Sequence, residues 1–133
     1  MDKVFTDYKN EISNDVKVDE INLLQKQLQL PTIKHKWAAR QIEQKRHRNN
    51  LYKKKKEIKA ATLIKLEKEG IPPGMPKKSI TEKIESSEIM EQINEEIEHT
   101  DLLIEYLEKV ENILKTMTYD MKNIIDINKL ETT

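Results

Sequence analysis

The sequence predicts an all-α fold: a long antiparallel helical hairpin behind short N-terminal helices, with coiled-coil-like packing in a homo-oligomer. Three observations carry that expectation. Both glycines and three of the four prolines fall in one stretch, GIPPGMPKKS at 70–79, which leaves long tracts without helix breakers on either side. The chain is 36% charged and 5% aromatic, too poor in bulky side chains to fill a thick interior. Long helices need only one apolar seam each, and suit such a composition. Finally, apolar residues keep a heptad spacing through the last third of the chain.

In chain order, residues 1–30 predict one or two short helices, with Asp19 or Asn14 as caps. Pro31 precedes a breaker-free stretch and fits the first turn of a helix over 31–69, ended by Gly70 at the position favoured by glycine. The Pro/Gly segment at 70–79 reads as the loop. Ser79 and Glu82 have capping-box spacing, so a second long helix is expected over 80–130, with Ser86-Ser87 as a weak point where a new helix can start. Along it, Leu103, Leu107, Val110, Leu114, Met117, Met121 and Ile124 step by fours and threes, a seam suited to oligomerisation. Ile93, Ile97, Ile104, Ile113 and Ile125 widen the seam beyond a two-stranded stripe, which points to more than one packing partner. The whole reads as a single helical domain of 133 residues.

Charge is sorted along the chain. It carries 24 basic and 24 acidic residues, yet Lys34–Lys59 holds 11 basic against 2 acidic, and 80–133 holds 5 against 14. An antiparallel hairpin places these opposite charges near each other. There is no cysteine, which removes disulfides and thiolate chemistry and favours a reducing, intracellular setting. No apolar run approaches the ~20 residues of a membrane span, and the first 20 residues lack a signal-like apolar centre. A soluble protein without membrane partners is expected.

The basic stretch RHRNNLYKKKKEIKAA, 46–61, poses the functional question. At about 100° per residue, Ile33, Trp37, Gln44, Leu51, Ile58 and Thr62 form an inner seam. Lys34, Lys45, Arg48, Tyr52, Lys55, Lys56 and Lys59 form a neighbouring stripe, with Lys53, Lys54 and Arg46 elsewhere on the surface. The cations span more circumference than one partner helix covers. A cationic ridge carrying an aromatic ring suits single-stranded nucleic acid, because phosphates attract it and any base can stack on the ring. The candidate nucleic-acid-binding residues on this stripe are therefore Lys45, Arg48, Tyr52, Lys55, Lys56 and Lys59. The alternative is a structural or adaptor coiled coil whose lysines pair only with its own acidic helix.

Enzyme chemistry has no foothold in the sequence. No Gly-rich phosphate loop is present, and His35, His47 and His99 have no HExxH or cysteine partners. Glu95 and His99 share a helical face, an arrangement that is usually structural. No catalytic residue, metal, cofactor or small-molecule substrate is expected.

Three segments together resemble the UvsY family of phage recombination mediator proteins. They are LPTIKHKW at 30–37, where Pro31, Ile33, Lys36 and Trp37 match family positions, the basic helix that follows, and YLEKVENILKTMTYDMKNIIDINKL at 106–130. In the last, Thr118, Tyr119, Lys122, Asn123 and Ile125 are similar to a family Thr-Tyr-x-x-Lys-Asn-x-Ile pattern. The resemblance implies a non-enzymatic, all-helical protein of the infected host's cytoplasm that binds single-stranded DNA. It implies a ring-like homo-oligomer that helps load a phage recombinase onto DNA coated by single-strand-binding protein. It also places Lys53 to Lys56 and Lys59 in a DNA-contacting helix, which adds Lys53 to the candidate nucleic-acid-binding residues. Relatives often carry Arg-Leu-x-Tyr-Tyr-x-Gly before the loop, where this chain has ATLIKLEKEG.

Overall fold

The computed structural model describes residues 2–70 and 77–132, and these form four α-helices with no strand among them. They are α1 (Asp2–Asp15), α2 (Leu23–Glu69), α3 (Lys77–Glu85) and α4 (Glu88–Thr132). The expected loop at 70–79 lies outside the described residues over 71–76. Gly70 is described, and its φ of 84° is the left-handed conformation expected of a glycine that ends a helix.

The element boundaries differ from the sequence reading at three places. The basic helix begins at Leu23, eight residues before Pro31, because a reciprocal cap forms upstream. The Asp19 carboxylate accepts from the Ile21 and Asn22 backbone N–H groups at 2.9 and 2.8 Å, and the Asn22 side-chain oxygen accepts from Asp19 N–H at 2.8 Å. Asn14 does not cap; its carbonyl accepts from the Lys26 ammonium at 2.9 Å. Pro31 therefore sits inside α2, at an exposed position. The cost of an interior proline, about 3 kcal/mol, is offset by burial of Leu30 and Ile33 on either side of it, at about 1.5–3 kcal/mol each.

Ser79 lies within the first turn of α3, which starts at Lys77, so it is not the expected N-cap. The acidic helix is broken at Ser86-Ser87 instead of running unbroken from Ile80. There the serine hydroxyls donate to the carbonyls of Lys83 and Ile84 at 3.2 and 2.7 Å, closing α3. Ser87 then opens α4 by accepting from Glu91 N–H at 3.0 Å, and Glu88 and Glu91 in the first turn complement its dipole.

The chain divides into two compact units: Met1–Glu43 with Leu103–Thr133, and Gln44–Leu102. The first unit contains α1, the start of α2 and the later part of α4. Its core joins Ile12 of α1, Leu30, Ile33 and Trp37 of α2, and Leu107, Val110, Leu114, Met117 and Met121 of α4. Tyr8, Val16, Val18, Leu23 and Tyr106 pack around it, and Tyr106 meets Phe5 edge-on at 5.0 Å.

The second unit contains the rest of α2, α3 and the start of α4. It has two small cores. Leu51 packs with Ile93 and Ile97, and Ile80, Ile84 and Met90 form the other, with Ile58 partly buried against both. Leu66, in the stretch that departs from the family pattern, packs against the second core. The seam expected on the basic helix is thus present, with Ile33, Trp37 and Leu51 buried.

The width of the α4 seam has a physical explanation inside the chain. Leu103, Leu107, Val110, Leu114, Met117 and Met121 are all at most 5% exposed, and Ile124 is half-buried. In the first unit the seam serves α1 as well as α2, and in the second the early part of α4 meets α2 and α3. Six of the seven residues assigned to oligomerisation are therefore interior to the single chain, and the exposed apolar side chains of α4 are others: Ile89, Leu102, Ile113, Tyr119, Ile127 and Leu130.

Candidate nucleic-acid interface

The second unit sorts the basic stretch into two parts. Arg48 Nη1 lies 3.4 Å from Asp101 Oδ1 on α4. Lys55 and Lys59, one helical turn apart, share a single carboxylate at the end of α3: Lys59 Nζ is 3.0 Å from Glu85 Oε1, and Lys55 Nζ is 3.9 Å from Oε2. The hydrogen bond from Lys59 holds the Glu85 carboxyl below its usual range; slight burial opposes that, and the charges of Lys55 and Lys59 add to it. Exposed ion pairs of this kind contribute about 0–1 kcal/mol each, so they orient side chains more than they stabilise the fold.

The remaining cations point away. Lys53, Lys54, Lys56 and Arg46 are exposed, Lys45 is half-buried, and among the described residues none of them has an ion pair. Lys45, Asn49, Tyr52 and Lys56 fall within about 60° of helical arc, with Lys53 and Arg46 beside them. Tyr52 is 44% exposed, on the side of this ridge nearest Arg48, Lys55 and Lys59. Arg48, Lys55 and Lys59 occupy the flank between the ridge and the buried seam. Of the seven candidate residues, then, Lys45, Tyr52, Lys53 and Lys56 lie together on a ridge without charge partners among the described residues, and three face acidic side chains of their own chain.

A second charged cluster, in the first unit, was not legible from the sequence. Lys36 donates to Glu11 and Asp15 at 3.1 and 2.6 Å, Arg40 pairs with Glu11, and Trp37 Nε1 donates to Asp15 at 2.8 Å. Arg40 also lies over the rings of Trp37 and Tyr8, at 4.7 and 5.3 Å, and Tyr8 meets Trp37 edge-on at 5.5 Å. The Arg40 hydrogen bond, opposed by partial burial and reinforced by Lys36, lowers the pKa of Glu11. Only the i, i+4 spacing of Lys36 and Arg40 and the neighbouring tryptophan hinted at it. The cluster clamps α1 onto α2 and leaves these cations engaged. Among the described residues no group of three His, Asp or Glu side chains is placed to hold a metal, and no helix is long and apolar enough to cross a membrane.

The four-helix order and the charge layout can be set against known proteins. The family model described as recombination, repair and ssDNA binding protein UvsY matches residues 11–133. The chain belongs to the UvsY family. Its fold agrees with crystal structures of the bacteriophage T4 recombination mediator protein UvsY. Lattice type II aligns at TM-score 0.79 and 16% identity, covering 96% of this chain and 97% of that one. Lattice type IV aligns at TM-score 0.80 and 15% identity, covering 96% and 98%. No curated protein sequence matches the chain. At this identity the structural likeness is one of fold, and the side chains that make the basic ridge of this UvsY-family member have to be judged on its own geometry. Membership assigns the chain to recombination and repair through single-stranded DNA binding.

Proposed function

We propose that this UvsY-family chain is a recombination mediator that binds single-stranded DNA along the outward ridge of α2. It promotes loading of a phage recombinase onto DNA coated by single-strand-binding protein, in the cytoplasm of the infected host, and it performs no catalysis. The observation that carries the reading is the ridge itself: Lys45, Lys53 and Lys56 around an exposed Tyr52, with no acidic partner among the described residues. A scaffold that used its lysines only for internal pairing has no need of such a ridge. The adaptor reading keeps a specific observation in its favour, the pairing of Arg48, Lys55 and Lys59 with α3 and α4.

A mediator also self-associates in this proposal, as a ring-like homo-oligomer. Several modest ridges held together act on one strand at high effective concentration. With most of the heptad seam buried within each chain, the contact between copies is assigned to the exposed apolar residues of α4 in the first unit, Ile113, Tyr119, Ile127 and Leu130. Sedimentation of the chain with and without an oligothymidylate tests both parts. A multiple of the 15.8 kDa chain mass that rises by the mass of bound oligonucleotide is expected. A monomer that ignores the oligonucleotide contradicts it.

A further inference from the structure

The same unit holds a carboxylate placed where a phosphate would sit. Lys55 and Lys59 project from successive turns of α2, and the two oxygens of Glu85 each face one ammonium, at 3.9 and 3.0 Å. Two cations bridged through two oxygens is also the way a phosphodiester is gripped. We propose that Glu85 is a built-in competitor for DNA phosphate: it occupies Lys55 and Lys59 in the free protein, and a bound single strand displaces it. The proposal rests on the reading of α2 as the DNA-binding helix.

Comparison with the first unit shows why this contact is the exchangeable one. There, Lys36 and Arg40 share Glu11 in the same i, i+4 arrangement. That bridge is locked by Asp15, which takes further hydrogen bonds from Lys36 and from Trp37, and by stacking of Arg40 on two rings. Glu85 has no such reinforcement. It is the last residue of a nine-residue helix, it is partly exposed, and among the described residues its side chain bonds only to the two lysines. Both lysines border the ridge that carries Tyr52, so a strand stacked there passes within reach of them. Displacement trades one carboxylate for phosphate and leaves the protein's other contacts in place. The consequence is a threshold: weakly held or protein-covered DNA leaves Glu85 seated, whereas a well-seated strand gains one more phosphate, held by both lysines.

The experiment compares wild type, Glu85→Gln and Glu82→Gln by anisotropy of a labelled oligothymidylate across a salt series, with thermal melts alongside. Glu82, on the same helix, is exposed, so its variant reports the effect of one lost charge alone. Glu85→Gln is expected to bind ~3- to 10-fold tighter than wild type, with a salt slope steeper by up to about 0.7, the contribution of the one phosphate that takes the carboxylate's place. The gain should disappear in a Lys55→Ala/Lys59→Ala background. Equal affinities for the two glutamine variants overturn the proposal, as does a lowered melting temperature without tighter binding, which makes the pair structural. If wild type itself binds no oligonucleotide, the reading of α2 fails; if wild type binds and Glu85→Gln does not improve on it, only the competitor role fails.

Discussion

Trp37→Ala is expected to destabilise the unit formed by Met1–Glu43 and Leu103–Thr133 by about 3–5 kcal/mol, the range for truncating a buried tryptophan. The side chain is 3% exposed in a core shared by α1, α2 and α4. Its indole N–H holds Asp15, its face carries Arg40, and its edge meets Tyr8. Truncation opens a cavity and strips Asp15 of one donor while the carboxylate stays largely covered. Thermal melting should fall by about 10–20 °C, with the amides of α1 losing exchange protection first. Trp37→Phe keeps most of the packing and drops the N–H, so its cost should be about 1–3 kcal/mol. Equal losses for the two variants would mean that the hydrogen bond, and not the ring, secures α1.

Tyr52→Ala should weaken single-stranded DNA binding by about 1–3 kcal/mol, roughly 5- to 150-fold, if one base stacks on the ring. Because Tyr52 is 44% exposed and belongs to no core cluster, the fold and melting temperature should hold. Tyr52→Phe keeps the ring and should bind nearly as wild type does. Stacking is uncharged, so the affinity lost in Tyr52→Ala should be similar at every salt concentration while the salt slope is unchanged. Titrations of the three proteins against the same oligonucleotide check this. A loss shared equally by the phenylalanine variant would move the role from the ring to the hydroxyl.

Much of this architecture was readable from residue order. The clustering of Pro and Gly at 70–76 marked the end of one helix, Ile33, Trp37 and Leu51 marked its buried face, and the opposite charges of α2 and α4 foretold ion pairs. What escaped depends on contacts between residues far apart in sequence. Nothing local says that Glu11 and Asp15 reach Lys36 and Arg40, some 25 residues on, so α1 could be anticipated as a helix but not as a clamp. The start of α2 escaped because Pro31 is a strong local signal, while the Asp19–Asn22 cap that overrides it is a weak one. The seam from Leu103 to Ile124 has a width that own-chain helices and neighbouring copies satisfy equally well on paper, and in the fold α1 and α2 claim most of it.

The basic stretch shows the same division at finer scale. Helical angles correctly separated Leu51 and Ile58 from the cations. They grouped Arg48, Lys55 and Lys59 with Lys45, Tyr52 and Lys56 because all six share one side of the helix. Only the positions of Glu85 and Asp101 divide that side into a paired flank and an open ridge.

The open ridge is the central claim, and the salt dependence of binding tests it most directly. Each phosphate neutralised on a single strand contributes about 0.7 to the slope of log affinity against log salt. Wild type should lose affinity for an oligothymidylate steeply as salt rises. Lys45→Ala/Lys53→Ala/Lys56→Ala should bind more weakly at low salt, with a slope shallower by about 2 and an unchanged melting temperature. A triple variant with the wild-type slope, or a wild type with no measurable affinity at low salt, would contradict the assignment of DNA binding to this face of α2.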